Sequence, residues 1–179
     1  DMGINKSHVI NMELRGNLRK QYSTIKSELL RNPDITAVCA TNGSFSKRFG
    51  TDEIGWEGKP EDKRIFMSIH SVDFDYQKIF DIKMAMGRYF SRDYPTDRSD
   101  GIIVNETAAK IMGMESPIGQ RMSCSIPFSS QKSGTIIGVV KDFHFRSLHE
   151  KIDPLVLVIA PGWFMDVYIR MKPENVPET

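Results

Sequence analysis

The chain has 179 residues, of which 40% are hydrophobic and 26% are charged, a composition typical of a folded globular protein and not of a disordered one. Its formal net charge of +1 excludes a global basic field that would draw the chain to nucleic acid or to an acidic membrane. The longest apolar run, Leu155 to Ala160, has the length of a strand and is too short to cross a bilayer. The two cysteines, Cys39 and Cys124, are too few for a disulfide framework and are expected to be buried free thiols.

The first 41 residues predict a β-α-β unit. "HVINMEL" alternates in the manner of a half-buried strand, and "ITAVCAT" is a second strand. Between them, the four-three-four spacing of apolar residues from Leu18 predicts an amphipathic helix. Asn17 is its expected N-cap, and Pro33 ends it.

The next part of the chain is expected to begin with a long exposed excursion. Residues 41–63 are rich in Gly, Ser, Lys and acids, and we expect a short edge hairpin within them. "RIFMSIHSV" then alternates as a strand, and "DFDYQKIFDI" predicts a short helix with Asp73 or Asp75 as its cap.

The segment "GIIVNETAAKIMGMESPIGQRMSC" has the strand-then-helix order of a phosphate-binding site but lacks its glycine loop. Asn105 is placed to cap the helix, Glu106 would repel a phosphate, and Gly113 suits the helix end. The segment is therefore predicted to be scaffold, with a turn at Pro117 to Gly119.

The C-terminal part predicts a strand at "GTIIGVVKD" and two more at "LVLVIA" and "FMDVYIRMK", joined as a hairpin around Pro161 and Gly162. Several strands, three short helices and no regular β-α alternation indicate the α+β class.

The residues that most often carry chemistry do not form a recognisable centre. His144 and His149 are five apart and would not aim both imidazoles at one metal. The acids Asp93, Asp97 and Asp100 lack the spacing of a calcium loop, and turn or capping roles are favoured. Scattered aromatics and balanced charges offer no platform for nucleic acid. We predict no catalytic residue, no cofactor and no metal.

Three longer motifs in a fixed order carry a family resemblance. The order "GRYFSRDYPTD", "GIIVNETAAKIMGMESPIGQRM" and "GTIIGVVKDFHFRSLHEKIDPLVLV" resembles the extracytoplasmic core domain of MacB/FtsX-like ABC transporter permeases, most of all the versions common in Bacteroidetes. The similarity extends upstream through "INKSHVINMELRGNL" and so covers nearly the whole chain.

The resemblance implies an α+β domain with a porter-like core of β-α-β elements, a mixed sheet and a smaller inserted α/β lobe. The chain would be one core domain fragment, 1–179, with a main lobe at about 1–87 and 135–179 and the inserted lobe at about 88–134. Such a domain lies between the first and second membrane helices of the permease, on the periplasmic side of the cytoplasmic (inner) membrane. Both ends of the sequence fit a piece of a longer protein.

The implied function is coupling without catalysis. ATP binding to a cytoplasmic ABC ATPase would move the membrane helices and shift the outer domains of two permease subunits. That movement would act on a substrate or on a periplasmic or outer-membrane protein partner. The alternatives of export, lipoprotein extraction and control of a cell-wall enzyme remain open.

Four residues are the candidates for a surface that contacts partner or cargo. Phe45 and Trp56 are large apolar side chains in the polar excursion, where the competing role of Trp56 is to cover a sheet edge. His144 and Arg146 are expected to face outward if "DFHFRSLHEKIDP" is extended, with Phe143 and Phe145 in the core.

Two other classes of function stay open on the sequence. A free-standing extracytoplasmic module that binds peptide or protein would carry a signal peptide and no second membrane span. A small hydrolase would need a pocket that converges on His144, on His149 or on the loop from Asp93 to Asp100.

Overall fold

The computed structural model describes residues 3–44, 50–125, 132–145 and 151–173. Within these ranges the chain forms two β-sheets and three α-helices. The elements in chain order are β1 (Val9–Glu13), α1 (Tyr22–Leu29), β2 (Ile35–Thr41), β3 (Thr51–Glu53), β4 (Gly55–Trp56), β5 (Phe66–Ser71), α2 (Tyr76–Phe80), β6 (Met84–Gly87), β7 (Gly101–Asn105), α3 (Glu106–Met112), β8 (Arg121–Cys124), β9 (Lys132–Val140), β10 (Leu155–Val158) and β11 (Asp166–Met171). The α+β class expected from the sequence is confirmed.

The small sheet has three strands in the order β1-β11-β2, and β11 runs antiparallel to both neighbours. β1 and β2 are therefore parallel to each other, with α1 as their connection. The predicted β-α-β unit is confirmed, but the last strand of the chain lies between its two strands. One face of the small sheet packs under α1 through Val38, Val167 and Ile169. The other face packs against α2 through Ala37 and Cys39.

The large sheet has eight strands in the order β3-β5-β10-β7-β9-β8-β4, with β6 paired to the end of β9. It is mixed, because β10 is parallel to β5 but antiparallel to β7, and β7 is parallel to β9. The outermost strands β3 and β4 are separated in sequence only by the buried residue Ile54. The sheet must therefore curl until its two edges come close together. A hydrogen bond of 2.5 Å from the Ser125 amide to Asp52 crosses the same gap.

The two sheets share one central core. Tyr76 and Phe80 of α2 pack with Tyr168 of the small sheet and with Phe143 and Phe145, which follow β9. Phe80 and Tyr168 meet edge to face at 5.0 Å between ring centroids. Burying a large apolar side chain contributes about 1.5–3 kcal/mol, so this aromatic layer is a major link between the sheets. The burial of Phe143 and Phe145, which the sequence predicts, is confirmed.

Both cysteines are buried thiols that form no disulfide, as the sequence predicts. Burial raises the pKa of the Cys39 thiol well above its ordinary value, which keeps the group protonated. The two thiols therefore behave as small core side chains.

The first helix begins later than the apolar spacing predicts. Gly16 has a left-handed φ of 54°, and Gly16–Arg19 form a 3-10 turn before α1 starts at Tyr22. The backbone carbonyl of Asn17 accepts from the Lys20 amide at 3.1 Å within this turn. The prediction that the Asn17 side chain caps the helix is therefore wrong, because the chain is still turning at that residue.

The two hairpin predictions are also wrong. β3 pairs with β5 and β4 pairs with β8, so the described part of the excursion, 41–44 and 50–63, supplies both edges of the large sheet without a hairpin of its own. β10 lies in the large sheet and β11 in the small one. The physical reason lies in the connection, where Trp163 packs into the core of the large sheet and Phe164 into that of the small one. Adjacent buried side chains thus carry the chain from one sheet to the other.

The opening of α3 is scaffold, as predicted. The Asn105 carboxamide oxygen accepts from the amides of Ala108 at 3.0 Å and Leu155 at 2.9 Å, and its nitrogen donates to the Asp153 carbonyl. Gly113 ends the helix with a φ of 68°. Asn105 thereby joins the helix to β10, and every polar atom of its side chain has a protein partner.

The proposed inserted lobe at 88–134 supplies β7, α3 and β8. β7 lies inside the large sheet, between β10 and β9. The boundaries of such a lobe stay a prediction.

The turn that follows β6, at the sequence "GRYF" (87–90), is held by an ion pair whose carboxylate is buried. The Arg88 guanidinium donates to both carboxylate oxygens of Asp97, at 2.5 and 2.7 Å, and stacks 3.7 Å from the Tyr94 ring centroid. Asp97 is 1% exposed and also accepts from the Ser91 amide. Asp97 therefore holds a turn, the role expected for the acids of this loop. Across the described residues no group of three potential metal ligands occurs.

We expect Asp97→Ala to lower the free energy of unfolding by about 2 kcal/mol, because it leaves the Arg88 guanidinium and the Ser91 amide without their acceptor. Asp93→Ala, at an exposed position of the same loop, is the matched control and should change stability by less than about 0.5 kcal/mol. Urea denaturation measures both. Equal effects of the two substitutions would contradict the assigned role of Asp97.

Candidate functional site: a basic groove beside α1

A groove of about 580 Å³ runs along α1. The residues that line it come from α1 and the turn before it, from the junction of β5 with α2, from the connection between β6 and β7, and from the crossover between β10 and β11. We call it the basic groove. Its volume is within the range of ligand-binding clefts in proteins.

The floor of the basic groove is largely apolar. Tyr22 of α1 meets Phe164 edge to face, with 5.3 Å between ring centroids. Phe74 and Ile159 extend this surface, and Leu30 lies at the end of α1 with 44% of its surface exposed. An incoming apolar side chain would therefore find aromatic and aliphatic contacts.

A cluster of charged groups ties α1 to the junction of β5 and α2. Tyr22 and Lys26 are four residues apart and lie on the same side of the helix. The Tyr22 hydroxyl donates to the Asp73 carboxylate. The Lys26 ammonium lies 2.6 Å from the same carboxylate and also contacts Asp75. Asp73 is 5% exposed, so the cluster combines a buried carboxylate with two donors that satisfy it.

The two acids of this cluster lie just before the first residue of α2. Asp73 accepts from the backbone amide of Asp75 at 2.9 Å, which closes a turn just before the helix. Asp75 is the residue before the first helical turn but makes no side-chain capping bond. Its carboxylate binds Lys26 and Arg92 instead. The prediction that Asp73 or Asp75 caps α2 is therefore wrong, because Asp73 closes the turn before the helix and the Asp75 carboxylate is bound by Lys26 and Arg92.

The rim of the basic groove is cationic. Arg19 and Lys20 come from the α1 side, and Arg92 and Arg98 come from the connection between β6 and β7. Arg92 pairs with Asp75 at 3.0 Å, and its guanidinium lies 4.8 Å from the Phe74 ring centroid. With Lys26, five cationic residues line the groove, against the carboxylate of Asp73 in the lining and that of Asp75 behind it, which pairs with Lys26 and Arg92. The groove therefore presents a positive surface on a chain of net charge +1.

Burial and ion pairing shift the pKa values of the cluster in opposite directions. Burial raises the pKa of Asp73 above its ordinary value, and the Lys26 ammonium and the hydrogen bonds from Lys26 and Tyr22 offset this only in part. Burial also acts on Asp75, but the hydrogen bonds and charges of Lys26 and Arg92 outweigh it and lower the pKa of that carboxyl. Burial and the neighbouring Asp73 raise the pKa of Tyr22, which stays a hydrogen-bond donor.

Of the four surface candidates from the sequence, the two that the structure describes, Trp56 and His144, do not line this groove. Trp56 is half-buried in β4, where it pairs with Met122 at the edge of the large sheet and lies 5.8 Å from the Lys59 ammonium. Trp56 is thus part of the edge strand itself and packs against the core of the large sheet. His144 is half-buried and follows the C-terminal end of β9. Trp56 lies near the other end of that strand, where β9 pairs with β8. Phe45 and Arg146 lie outside the described residues.

Reasoning from the sequence misses the residues of the basic groove because local patterns assign them other roles. Asp73 and Asp75 were assigned as alternative caps, and the helix residues Tyr22 and Lys26 only as part of an amphipathic pattern. One signal was available, since an aromatic hydroxyl and a lysine at i and i+4 suit a buried carboxylate. What spacing could not supply is that α1 lies beside the junction of β5 and α2.

Comparison with known proteins places the chain in a family. A sequence-family model described as the MacB-like periplasmic core domain matches residues 7–178. A search among curated proteins gives no significant match.

Solved structures share the fold at low sequence identity. A domain of a putative permease protein from Porphyromonas gingivalis has a TM-score of 0.60 and 17% identity, over 86% of this chain and 69% of that one. The periplasmic region of MacB from Actinobacillus actinomycetemcomitans has a TM-score of 0.60 and 14% identity, over 98% and 78%. The extracellular domain of the noncanonic ABC-type transporter YknZ from Gram-positive bacteria has a TM-score of 0.63 and 12% identity, over 93% and 85%. The helices described here include none that is long and apolar enough to cross a membrane.

We expect Asp73→Asn and Asp75→Asn to change the pH dependence of stability with opposite signs. The raised pKa of Asp73 means that the folded state binds its proton more tightly than the unfolded state. The contribution of this group to stability therefore increases as the pH falls towards the ordinary aspartate value of 3.8. The free energy of unfolding of the wild type should rise relative to that of Asp73→Asn over the same range. The lowered pKa of Asp75 means that its contribution is complete above 3.8 and is lost below it, so the wild type loses its advantage over Asp75→Asn there.

Urea unfolding between pH 7 and pH 3 measures these differences. Asp93→Asn, at an exposed position outside the groove, controls for the loss of one negative charge. Parallel pH curves for the Asp73 and Asp75 variants would contradict the assigned environments.

Proposed function

Because the chain belongs to the family of MacB-like periplasmic core domains, we propose that it transmits ATP-driven movement of an ABC transporter permease to a substrate or partner outside the cytoplasmic membrane. Domains of this family are periplasmic or extracellular parts of membrane transporter permeases, and such permeases work with an ATPase. The proposal adds that this domain relays force and catalyses no reaction itself.

The pairing of β1 with β11 is the observation that carries the proposal. The two strands are antiparallel neighbours, with Val9 opposite Arg170. In a permease whose membrane helices flank this domain, the segment that enters and the segment that leaves would therefore lie side by side. A movement of either helix would act directly on the ladder between these strands.

Arg170 strengthens this junction. Its guanidinium donates to the carbonyls of Asn5 at 2.8 Å, Ser7 at 3.1 Å and Ile79 at 3.0 Å. One side chain thus binds the entering segment and the end of α2 while its own backbone belongs to β11. The Asn5 amide adds a bond to the Phe80 carbonyl. Hydrogen bonds from a charged donor are each worth about 1.5–3 kcal/mol, enough to make the junction stiff.

The rest of the fold supports a relay. β11 pairs with β2 over six residue pairs, and α2 packs between the small sheet and the large one through the central core. Close-packed cores deform little and pass displacement from one element to the next. A shift of β1 or β11 would therefore move the large sheet as well.

The partners of this function are a cytoplasmic ABC ATPase, reached through the membrane helices, and a second permease subunit. A periplasmic or outer-membrane protein is the third. We also propose Trp56 and His144 as surface residues for such contacts. An inserted lobe at about 88–134 is a separate part of the proposal.

A second candidate function, that of a free-standing binding module, is favoured by the basic groove. The two differ in the parent polypeptide. Membrane helices on both sides of this domain agree with a relay, and a cleaved signal with no later span agrees with a free-standing module.

We expect ATP to change the distance between the outer domains of two permease subunits, and Arg170→Met to suppress that change. The measurement uses the full-length permease with its ATPase in lipid nanodiscs. Spin labels at Lys110→Cys, an exposed position on α3, report the distance by electron–electron resonance with and without ATP. The two native thiols of this domain, Cys39 and Cys124, are buried and should not label, and any cysteines elsewhere in the permease or its ATPase are replaced by serine first.

Arg31→Met is the matched control, because Arg31 is exposed and, among the described residues, forms its ion pair with Glu28 of α1. It should leave the ATP-dependent change intact, and ATPase activity should persist in both variants. Arg170→Lys keeps one donor and should retain part of the change. An unchanged distance in the wild type on addition of ATP would refute the relay.

A further inference from the structure

We propose that the basic groove docks an acidic polypeptide segment with an apolar anchor, carried by a protein outside the membrane. The inference rests on the proposed function, since it names the chemistry of the partner on which the relay acts. It is carried by three properties of the groove: its uncompensated charge, its apolar floor and its connection to the small sheet.

The charge of the groove is not balanced from within. Of the acids at its base, Asp73 is bound by Lys26 and Tyr22, and Asp75 by Lys26 and Arg92. Lys20 and Arg98 line the groove, are exposed, and form no ion pair within the ranges that the structure describes. Complementary charge on a partner would therefore have free cations to meet, which favours association with an acidic segment.

The arrangement of the cations favours a polypeptide over a compact anion. A phosphate site brings several donors to one point, but here the most buried cation, Lys26, is already bound to two carboxylates. A phosphate at that depth would also face the buried charge of Asp73. Lys20 and Arg98, which have no ion-pair partner among the residues that the structure describes, instead come from two separate elements and lie at the exposed rim. Carboxylates spaced along a chain match that distribution.

The floor supplies the anchor. Between the charged walls, Tyr22, Ile159 and Phe164 form an apolar surface that Leu30 extends at the open end of α1. One or two apolar side chains of a peptide would bury there while flanking carboxylates meet the rim. Apolar anchors within a polar rim are the usual arrangement of protein interfaces.

The position of the groove connects such a partner to the relay. α1 covers one face of the small sheet through Ile25 and Leu29, and its Lys26 holds the start of α2. A segment bound along α1 would therefore also lie against the start of α2 and the crossover before β11. These two parts of the chain link β11 to the central core. Displacement of the small sheet would alter the groove, and occupancy of the groove would resist that displacement.

The test measures binding of fluorescent peptides to the 179-residue chain by anisotropy. The probe is a twelve-residue peptide in which Glu alternates with Leu and Phe. Two peptides of the same apolar pattern, with Gln or with Lys in place of Glu, serve as charge controls. We expect the acidic peptide to bind more tightly than either control and its affinity to fall as salt is raised.

The groove is tested with the double substitution Lys20→Glu and Arg98→Glu. We expect it to weaken binding of the acidic peptide at least about tenfold, because it removes two attractive charges and adds two repulsive ones. Lys63→Glu with Lys110→Glu makes the same change of net charge at exposed positions outside the groove and should change binding less than about twofold. Circular dichroism and urea unfolding confirm that both variants fold.

Three outcomes would overturn the proposal. Equal binding of the acidic and Gln peptides would show that charge plays no part. Equal weakening by the two double variants would place the site elsewhere. Stronger, groove-dependent binding to vesicles of phosphatidylglycerol than to the peptide would assign the groove to lipid.

Failure here is separable from failure of the relay. If the groove variants bind peptide as the wild type does while ATP still changes the distance between outer domains, only the docking proposal falls. If the distance does not respond to ATP but the peptide binds at the groove, the chain is a binding domain without a relay.

Discussion

The placement of β11 between β1 and β2 is the constraint on which the rest of the structure depends. A β-α-β unit alone would put its two parallel strands side by side, but here the last strand separates them and pairs with both. The small sheet therefore forms only when the two ends of the described chain come together. Arg170 fixes this closure by binding three backbone carbonyls, two before β1 and one at the end of α2.

The same closure decides how the two sheets are joined. Trp163 and Phe164 enter the cores of different sheets, so the crossover before β11 is anchored on both sides. α2 lies against the other face of the small sheet and contributes Tyr76 and Phe80 to the central core. α1 is then held from below by the small sheet and from the side by the pairing of Lys26 with Asp73 and Asp75. The basic groove exists because these contacts leave a space beside α1.

The groove combines stability and recognition in one cluster. A buried carboxylate costs free energy unless donors satisfy it, and Asp73 has both the Lys26 ammonium and the Tyr22 hydroxyl. Because these donors are used internally, they are not free to bind a partner. Recognition is left to Lys20 and Arg98, the exposed rim cations that form no ion pair among the described residues. This division lets the rim vary with its partner while the base stays fixed.

The sequence predicted local structure well and long-range pairing poorly. Alternation located β1 and β5, and the caps Asn105 and Gly113 located α3, because these signals depend on near neighbours along the chain. The start of α1 was missed because Leu18 continues the helical spacing through a 3-10 turn. The hairpin predictions failed because strands that follow each other in sequence usually pair, and here buried residues at Ile54, Trp163 and Phe164 direct consecutive strands to different places.

The family resemblance came from longer motifs than any single site and was confirmed by the family match over residues 7–178. The basic groove was not predicted, since it is assembled from four separate parts of the chain. No pattern among neighbouring residues predicts that Arg98 and Lys20 line the same groove.

Native-state hydrogen exchange of the strand amides tests the central claim most directly. If β11 closes the small sheet and joins it to the large one, its amides and those of β2 and α2 should exchange only through global unfolding, as slowly as β7 and β9. Arg170→Met should then speed exchange in β1 and the end of α2 before it affects β7. Exchange in β11 and β2 roughly 100-fold faster than in β7 and β9 would mean that the small sheet opens by itself, and would contradict a rigid relay.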